Sequence, residues 1–123
     1  MRLRQSRIQT YNLRAHVPTK DGEGNVYSTY AEAISFRGEI WPAGGKVQAE
    51  MYGQRLQYIR NCKIEGGYSV EVDSKGQVQY RFKDMLVTES DGVCVDVLAD
   101  VGPDYRIIAI RPYKPLRLEL EKI

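Results

Sequence analysis

Apolar and polar residues alternate along most of this chain in short runs separated by turn residues, and a period of two predicts strands rather than helices. A first, untidy run from about Arg7 to Val17 carries Ile8, Tyr11, Leu13 and Val17, and Pro18 is expected to end it. Asp21-Gly22-Glu23-Gly24-Asn25 then supplies a turn, because Gly and Asn accept positive φ. In the next run, about Tyr27 to Trp41, Ile34, Phe36 and Ile40 alternate with Ser35, Arg37 and Glu39, as in a strand with one buried face. Pro42-Ala43-Gly44-Gly45 breaks that strand and opens the least regular stretch, through Gly53. Val47 and Met51 stand at i, i+4 spacing, enough for one or two helical turns over Lys46–Tyr52. Gly on both sides predicts a mobile excursion rather than a docked helix.

Alternation resumes at about Arg55 to Ile64, where Leu56, Tyr58, Cys62 and Ile64 share parity. The clearest hairpin follows, with Tyr68, Val70 and Val72 before Asp73-Ser74-Lys75-Gly76 and Val78, Tyr80 and Phe82 after it. Further strands are expected over Met85 to Thr88, around Val93, Val95 and Val97, and over Tyr105–Ile110. The last runs from Leu116 to Ile123, with Leu116, Leu118 and Leu120 set against Arg117, Glu119 and Glu121; Pro112 and Pro115 suit a bent corner before it. Roughly eight short strands at this spacing, with no repeat and no internal linker, predict one all-β domain. The expected architecture is a small antiparallel β-barrel or sandwich with a long Gly-flanked loop and at most one short helix.

A chain of 123 residues is long enough to bury a single core. Eleven Gly and nine Tyr reinforce the β reading, one as turn punctuation and the other as half-buried strand residues. The formal net charge is only +2, from 18 basic and 16 acidic residues, too balanced for a dedicated duplex-DNA reader. Arg2, Arg4, Arg7 and Arg14 make the start basic, but acidic residues are spread through the remainder. Cys62 and Cys94 lie in alternating stretches with no C-x-x-C pattern, and are expected to be small buried hydrophobes. The start RLRQSRIQTYNLR lacks the apolar centre of a secretory signal, and no window has the length of a membrane span. A reducing bacterial cytoplasm is therefore the expected place of synthesis.

Catalytic and metal chemistry find few parts. His16 is the one histidine, which removes His-based zinc sites and His-dependent triads. Asp91, Asp96, Asp100 and Asp104 form the best acidic group, but their spacing fits no calcium loop, and Asp91 and Asp104 suit turns. Neither Gly44-Gly45 nor Gly66-Gly67 leads into a phosphate-binding helix. Tyr27, Tyr30, Tyr52, Tyr58, Tyr68 and Tyr80 would serve core and interface better than base stacking. The expectation is a non-enzymatic binding or assembly part, with no cofactor, no metal and no membrane.

The order of segments resembles the phage head–tail joining proteins, also called head-closure or stopper proteins. The likeness rests on the short basic start Arg2 to Arg7, the Asp21-Gly22-Glu23-Gly24 turn and the strand ending Gly38-Glu39-Ile40-Trp41-Pro42. It continues through the joint Gly44-Gly45-Lys46, the polar stretch Val47 to Arg55, the strand Asp104-Tyr105-Arg106-Ile107-Ile108-Ala109-Ile110 and the terminal run Leu116–Ile123. These loose motifs cover most of the chain. The hairpin Tyr68–Phe82 and the stretch to Asp91 are longer than the family pattern, and Tyr58-Ile59-Arg60-Asn61-Cys62 departs from its third strand.

The resemblance implies a virion protein of the head–tail neck that forms a dodecameric ring between the portal with its adaptor and the tail. Genomic DNA would pass through the ring without being read. The excursion from Pro42 to Arg55 would then face the channel, with Pro42, Gly44, Gly45, Lys46, Gln48, Glu50, Tyr52, Gly53 and Arg55 as its contact residues. In that position it would narrow the channel and retain DNA, and Lys46–Gln54 would be dispensable for folding. Trp41, Tyr105, Arg111 and Tyr113 are the expected interface residues, being types that anchor interfaces. Leu116–Ile123 would pair with a neighbour or cover an edge. A related tail-completion protein and an OB-like single-strand nucleic-acid module are the alternatives.

Overall fold

The untidy first run and the well-alternating second form a pair of long antiparallel strands, β1 (Gln9–Lys20) and β2 (Val26–Pro42), and the rest of the fold is built around them. The computed structural model describes residues 7–20 and 26–123. Arg2, Arg4 and the expected turn at 21–25 lie outside the described residues. After β2 come helix α1 (Lys46–Tyr52), a 3-10 helix (Gly53–Tyr58) and β3 (Ile59–Ile64). Short strands β4 (Ser69–Val72), β5 (Val78–Arg81), β6 (Leu86–Val87) and β7 (Gly92–Cys94) follow, then β8 (Tyr105–Arg111) and β9 (Leu116–Lys122).

Six of these strands close into an antiparallel barrel in the order β1-β2-β3-β9-β8-β7, and β4-β5-β6 forms a separate three-stranded sheet. The expected all-β barrel is the fold found. Leu13, Phe36, Cys62, Ile64, Val93, Tyr105, Ile107, Leu116, Leu118 and Leu120 fill its core, and the small sheet adds Phe82, Met85 and Val87. Both cysteines are free and buried, and burial pushes the Cys62 thiol pKa up, as for an inert core group.

Four expectations are corrected. Pro18 does not end β1, which runs on to Lys20 opposite β2; its ladder with β7 covers only Asn12–Arg14, and a strand edge tolerates a residue without an N–H. Ile34 is exposed because β3 meets β2 only over Gly38–Pro42, leaving Ile34 at the rim. Strand β3 begins at Ile59, after the 3-10 turn, so Tyr58 is exposed and Ile59 and Asn61 are buried. Finally, β9 is no open edge, since β3 and β8 pair with it on its two sides.

Candidate functional site

The excursion between β2 and β3 is a docked helix, not a mobile loop, and its mode of docking inverts the usual helix pattern. Gly45, at φ 88°, and Gly53, at φ 56°, bracket α1 in backbone conformations that side chains rarely adopt. Between them, the apolar pair Val47 and Met51 faces solvent, while the pair one step on, Gln48 and Tyr52, turns onto the barrel wall. The i, i+4 spacing was legible in the sequence, but two such pairs were present and the polar one is buried.

Register explains what α1 lands on. Asn61 on β3 lies opposite Glu119 on β9, and Glu119 opposite Ala109 on β8, so a polar pair occupies the outer face of three adjacent strands. Gln48 Nε2 donates to Asn61 Oδ1 at 2.6 Å and to Glu119 Oε2 at 3.1 Å, and its Oε1 accepts from Gly44 N at 3.0 Å and Asn61 Nδ2 at 3.2 Å. Tyr52 Oη donates to Glu119 Oε2 at 2.8 Å, and Arg111 donates to Glu119 Oε1 through Nε at 3.1 Å and Nη2 at 2.8 Å. Burial alone would raise the Glu119 pKa; the donors Tyr52, Gln48 and Arg111 outweigh it and hold the carboxyl below its ordinary value. The Tyr52 hydroxyl, partly desolvated and bonded to that carboxylate, is pushed up to about 12. Beyond α1, Arg55 grips Glu121 in a two-pronged pair at 2.8 and 2.9 Å, with Arg106 3.6 Å from the same carboxylate. Removing Lys46–Gln54 would take away the Gln48 and Tyr52 donors and expose Asn61 and Glu119 to solvent.

Lys46, Gly44, Gly45, Val47 and Met51 form one wall of a groove of about 450 Å³, and Arg111, Tyr113 and Arg117 the other, with Gln48 and Glu119 at its base. Trp41, at the end of β2, has two cations near its ring, Lys63 Nζ at 5.4 Å and the Arg117 guanidinium at 5.7 Å from the centroid. Of the expected channel and interface residues, the fold thus brings Gly44, Gly45, Lys46, Gln48, Arg111 and Tyr113 together. Pro42 closes β2 opposite Arg60, Glu50 is exposed, and Arg55 belongs to the Glu121 pair. Tyr105 is a correction: its side chain lies in the core beneath the Arg60 guanidinium, so it presents no interface surface.

The acidic group is dispersed into structural duties. Asp91 is 2% exposed; it accepts from His16 N at 2.9 Å, Thr88 N at 3.0 Å and Thr88 Oγ1 at 3.0 Å, tying β1 to the turn before β7. Asp104 caps Val95 N and Asp96 N, and Asp96 pairs with Arg60 at 3.3 Å. Among the described residues no group of three His, Cys, Asp or Glu side chains could hold a metal ion. Asp91→Ala, which strips two partly buried backbone N–H groups of their acceptor, is expected to lower stability by about 2 kcal/mol in urea titration. Burial raises the Asp91 pKa above its unfolded value, so its own contribution is fully present below the unfolded pKa and fades as pH rises through the folded one.

Glu119 is the residue that sequence reasoning missed, having been placed on the solvent side of an alternating strand. Arg14 is a second: it binds the carbonyls of Tyr30, Ala31 and Ala99, and so joins the β1–β2 pair to the loop after β7. The described tyrosines do not gather on one face. Tyr30 stacks edge-on to His16, Tyr52 seals Glu119, and Tyr68 meets Tyr80 in the small sheet. No known family, curated protein or solved structure matches the chain.

Proposed function

We propose that this protein is a structural subunit of a phage neck, a ring-forming head–tail joining protein that docks between the portal with its adaptor and the tail. The observation that carries the reading is the display of apolar side chains on separate projections from a closed barrel. Val47 and Met51 stand out on α1, Val70, Val72 and Val78 on the small sheet, and Leu98 and Val101 on the loop between β7 and β8. In this reading the apolar groups on these projections are the surface that partners cover. The specific assignment is supported by the resemblance in segment order, in which an excursion separates the second and third main strands; here that excursion carries α1.

In this reading α1 is a rigid projection held by Glu119, and the ring places it towards the DNA channel. The test is addition of the purified chain to cognate heads carrying portal and adaptor, followed by electron microscopy of the neck. An added ring of density at the portal vertex, with the genome retained, is the expected result. Heads that bind none of the protein would overturn the assignment.

A further inference from the structure

We propose that the groove between α1 and the β8–β9 corner receives the β7–β8 loop of a second copy of this chain, a head-to-tail contact. The inference rests on the ring-forming reading above and names the two surfaces that would build the ring. The groove combines two kinds of wall. Val47, Met51 and Tyr113 offer exposed apolar surface, Val47 being 71% exposed, while Lys46, Arg111 and Arg117 supply positive charge. Glu119 answers Arg111 alone; no ion pair joins Lys46 or Arg117 to a carboxylate among the described residues.

The chain carries the complement of that surface on one exposed loop. Asp96-Val97-Leu98-Ala99-Asp100-Val101 presents Leu98, 74% exposed, and Val101, 70% exposed, beside the exposed carboxylates of Asp96 and Asp100. Asp96 is engaged by Arg60, and Asp100 has no ion-pair partner among the described residues. The loop is also held in shape. Its base is capped by Asp104, Val101 N donates to Leu98 O at 3.1 Å, and Arg14 reaches the Ala99 carbonyl. A loop already ordered loses little further entropy on docking.

Placement makes the contact intermolecular. The loop enters β8 at Tyr105, whereas Arg111 and Tyr113 lie at and beyond its other end, so the loop is a strand's length from that wall of the groove, with Glu119 at the base opposite Ala109 between them. Seven residues of strand span about 20 Å, which sets the loop of one copy well apart from the Arg111 and Tyr113 wall of its own groove. Two different patches meeting between copies make a heterologous interface, which closes into a ring if its rotation allows and otherwise propagates.

Such an interface has a specific signature. Let one variant carry a disabled loop, Leu98→Ser with Asp100→Lys, and a second a disabled groove, Lys46→Glu with Val47→Ser; all four positions are exposed and uninvolved in the core. Sedimentation velocity from micromolar to millimolar protein is expected to show the wild type self-associating, more weakly as salt rises. Each variant alone should stay monomeric, and their mixture should form a 1:1 pair that grows no further, because only one intact groove meets one intact loop. A wild type that stays monomeric throughout overturns this interface, as does self-association that survives in both variants. A mixture that stays monomeric while the wild type associates also overturns it. Capture of an oligothymidylate that the groove variant alone fails to bind would assign the groove to nucleic acid instead. In each of these cases the joining role stands or falls separately, on whether the wild-type chain is captured by portal-bearing heads.

Discussion

Replacing Glu119 with alanine is expected to destabilise the fold by about 3 kcal/mol and to release α1 from the barrel wall. The carboxylate is 3% exposed and accepts hydrogen bonds from Gln48, Tyr52 and Arg111. Alanine leaves the Gln48 amide and the Tyr52 hydroxyl without that acceptor under the helix, and each unsatisfied group costs on the order of 1–3 kcal/mol. Arg111 is 38% exposed at its side chain and turns to water when freed, so the larger penalty of a stranded buried charge does not apply in full. The melting temperature should fall by on the order of 10 °C. Hydrogen exchange should show faster opening of Lys46–Tyr52 than of β3 and β9. Unchanged protection across the helix would show that α1 is held by something other than this carboxylate.

The same residue sets an acid limit. Its folded pKa lies below its unfolded one, so the Glu119 contribution is fully present above the unfolded value, near 4.5, and is lost as pH falls through the folded value. Glu121, two residues along β9 and lowered chiefly by the hydrogen bond from Arg55 on the 3-10 turn, changes in the same direction. Asp91 runs the opposite way, because burial raises it. The excursion is therefore expected to loosen in acid before the barrel does.

Glu119 also marks where sequence reading stops. Period-two patterns located the hairpin at β4 and β5, the strands β8 and β9, and the breaks between them, because each depends on neighbours within a few residues. The β9 alternation was legible too, and Leu116, Leu118 and Leu120 do face the core. What the pattern could not show is that the other face acquires a roof. That depends on α1, whose Gln48 and Tyr52 lie 71 and 67 residues upstream of Glu119 and are brought over β9 only by barrel closure. Tyr58 misled for a related reason: the 3-10 turn shifts the start of β3, and parity counted across it is meaningless. The helix itself carried two competing i, i+4 pairs, and hydrophobicity favoured the pair that faces solvent. The break after Pro42 was legible because Gly44 and Gly45 interrupt the alternation, but that α1 would come to lie beside Arg111 and Tyr113 was not.

Gly38→Ala is expected to lower stability by about 2–4 kcal/mol, for a reason visible only in the closed barrel. Gly38 lies where β2 changes neighbours, opposite Gln9 on β1 and Ile64 on β3. A Cβ placed there would run into the backbone carbonyl of Lys63, with the Phe36 ring at 3.3 Å on another side. A side chain could rotate away from such a clash. A carbonyl fixed in a strand cannot, so the β2–β3 pair must separate, and Ile64 and Phe36, both in the core, would move with it. Gly44→Ala is the matched control, since nothing lies within 4 Å of its would-be Cβ, and its stability should stay within about 0.5 kcal/mol of wild type. Urea titration distinguishes the two through their midpoints, the slope remaining constant if both still unfold in two states. A G38A chain with a wild-type midpoint would mean that β2 and β3 are less closely apposed than this barrel requires. The requirement also gives a physical role to the glycine that opens Gly38-Glu39-Ile40-Trp41-Pro42. It lets β2 cross from one partner to the next without a side chain between the strands, and so delivers Trp41 and Pro42 to the wall from which α1 departs.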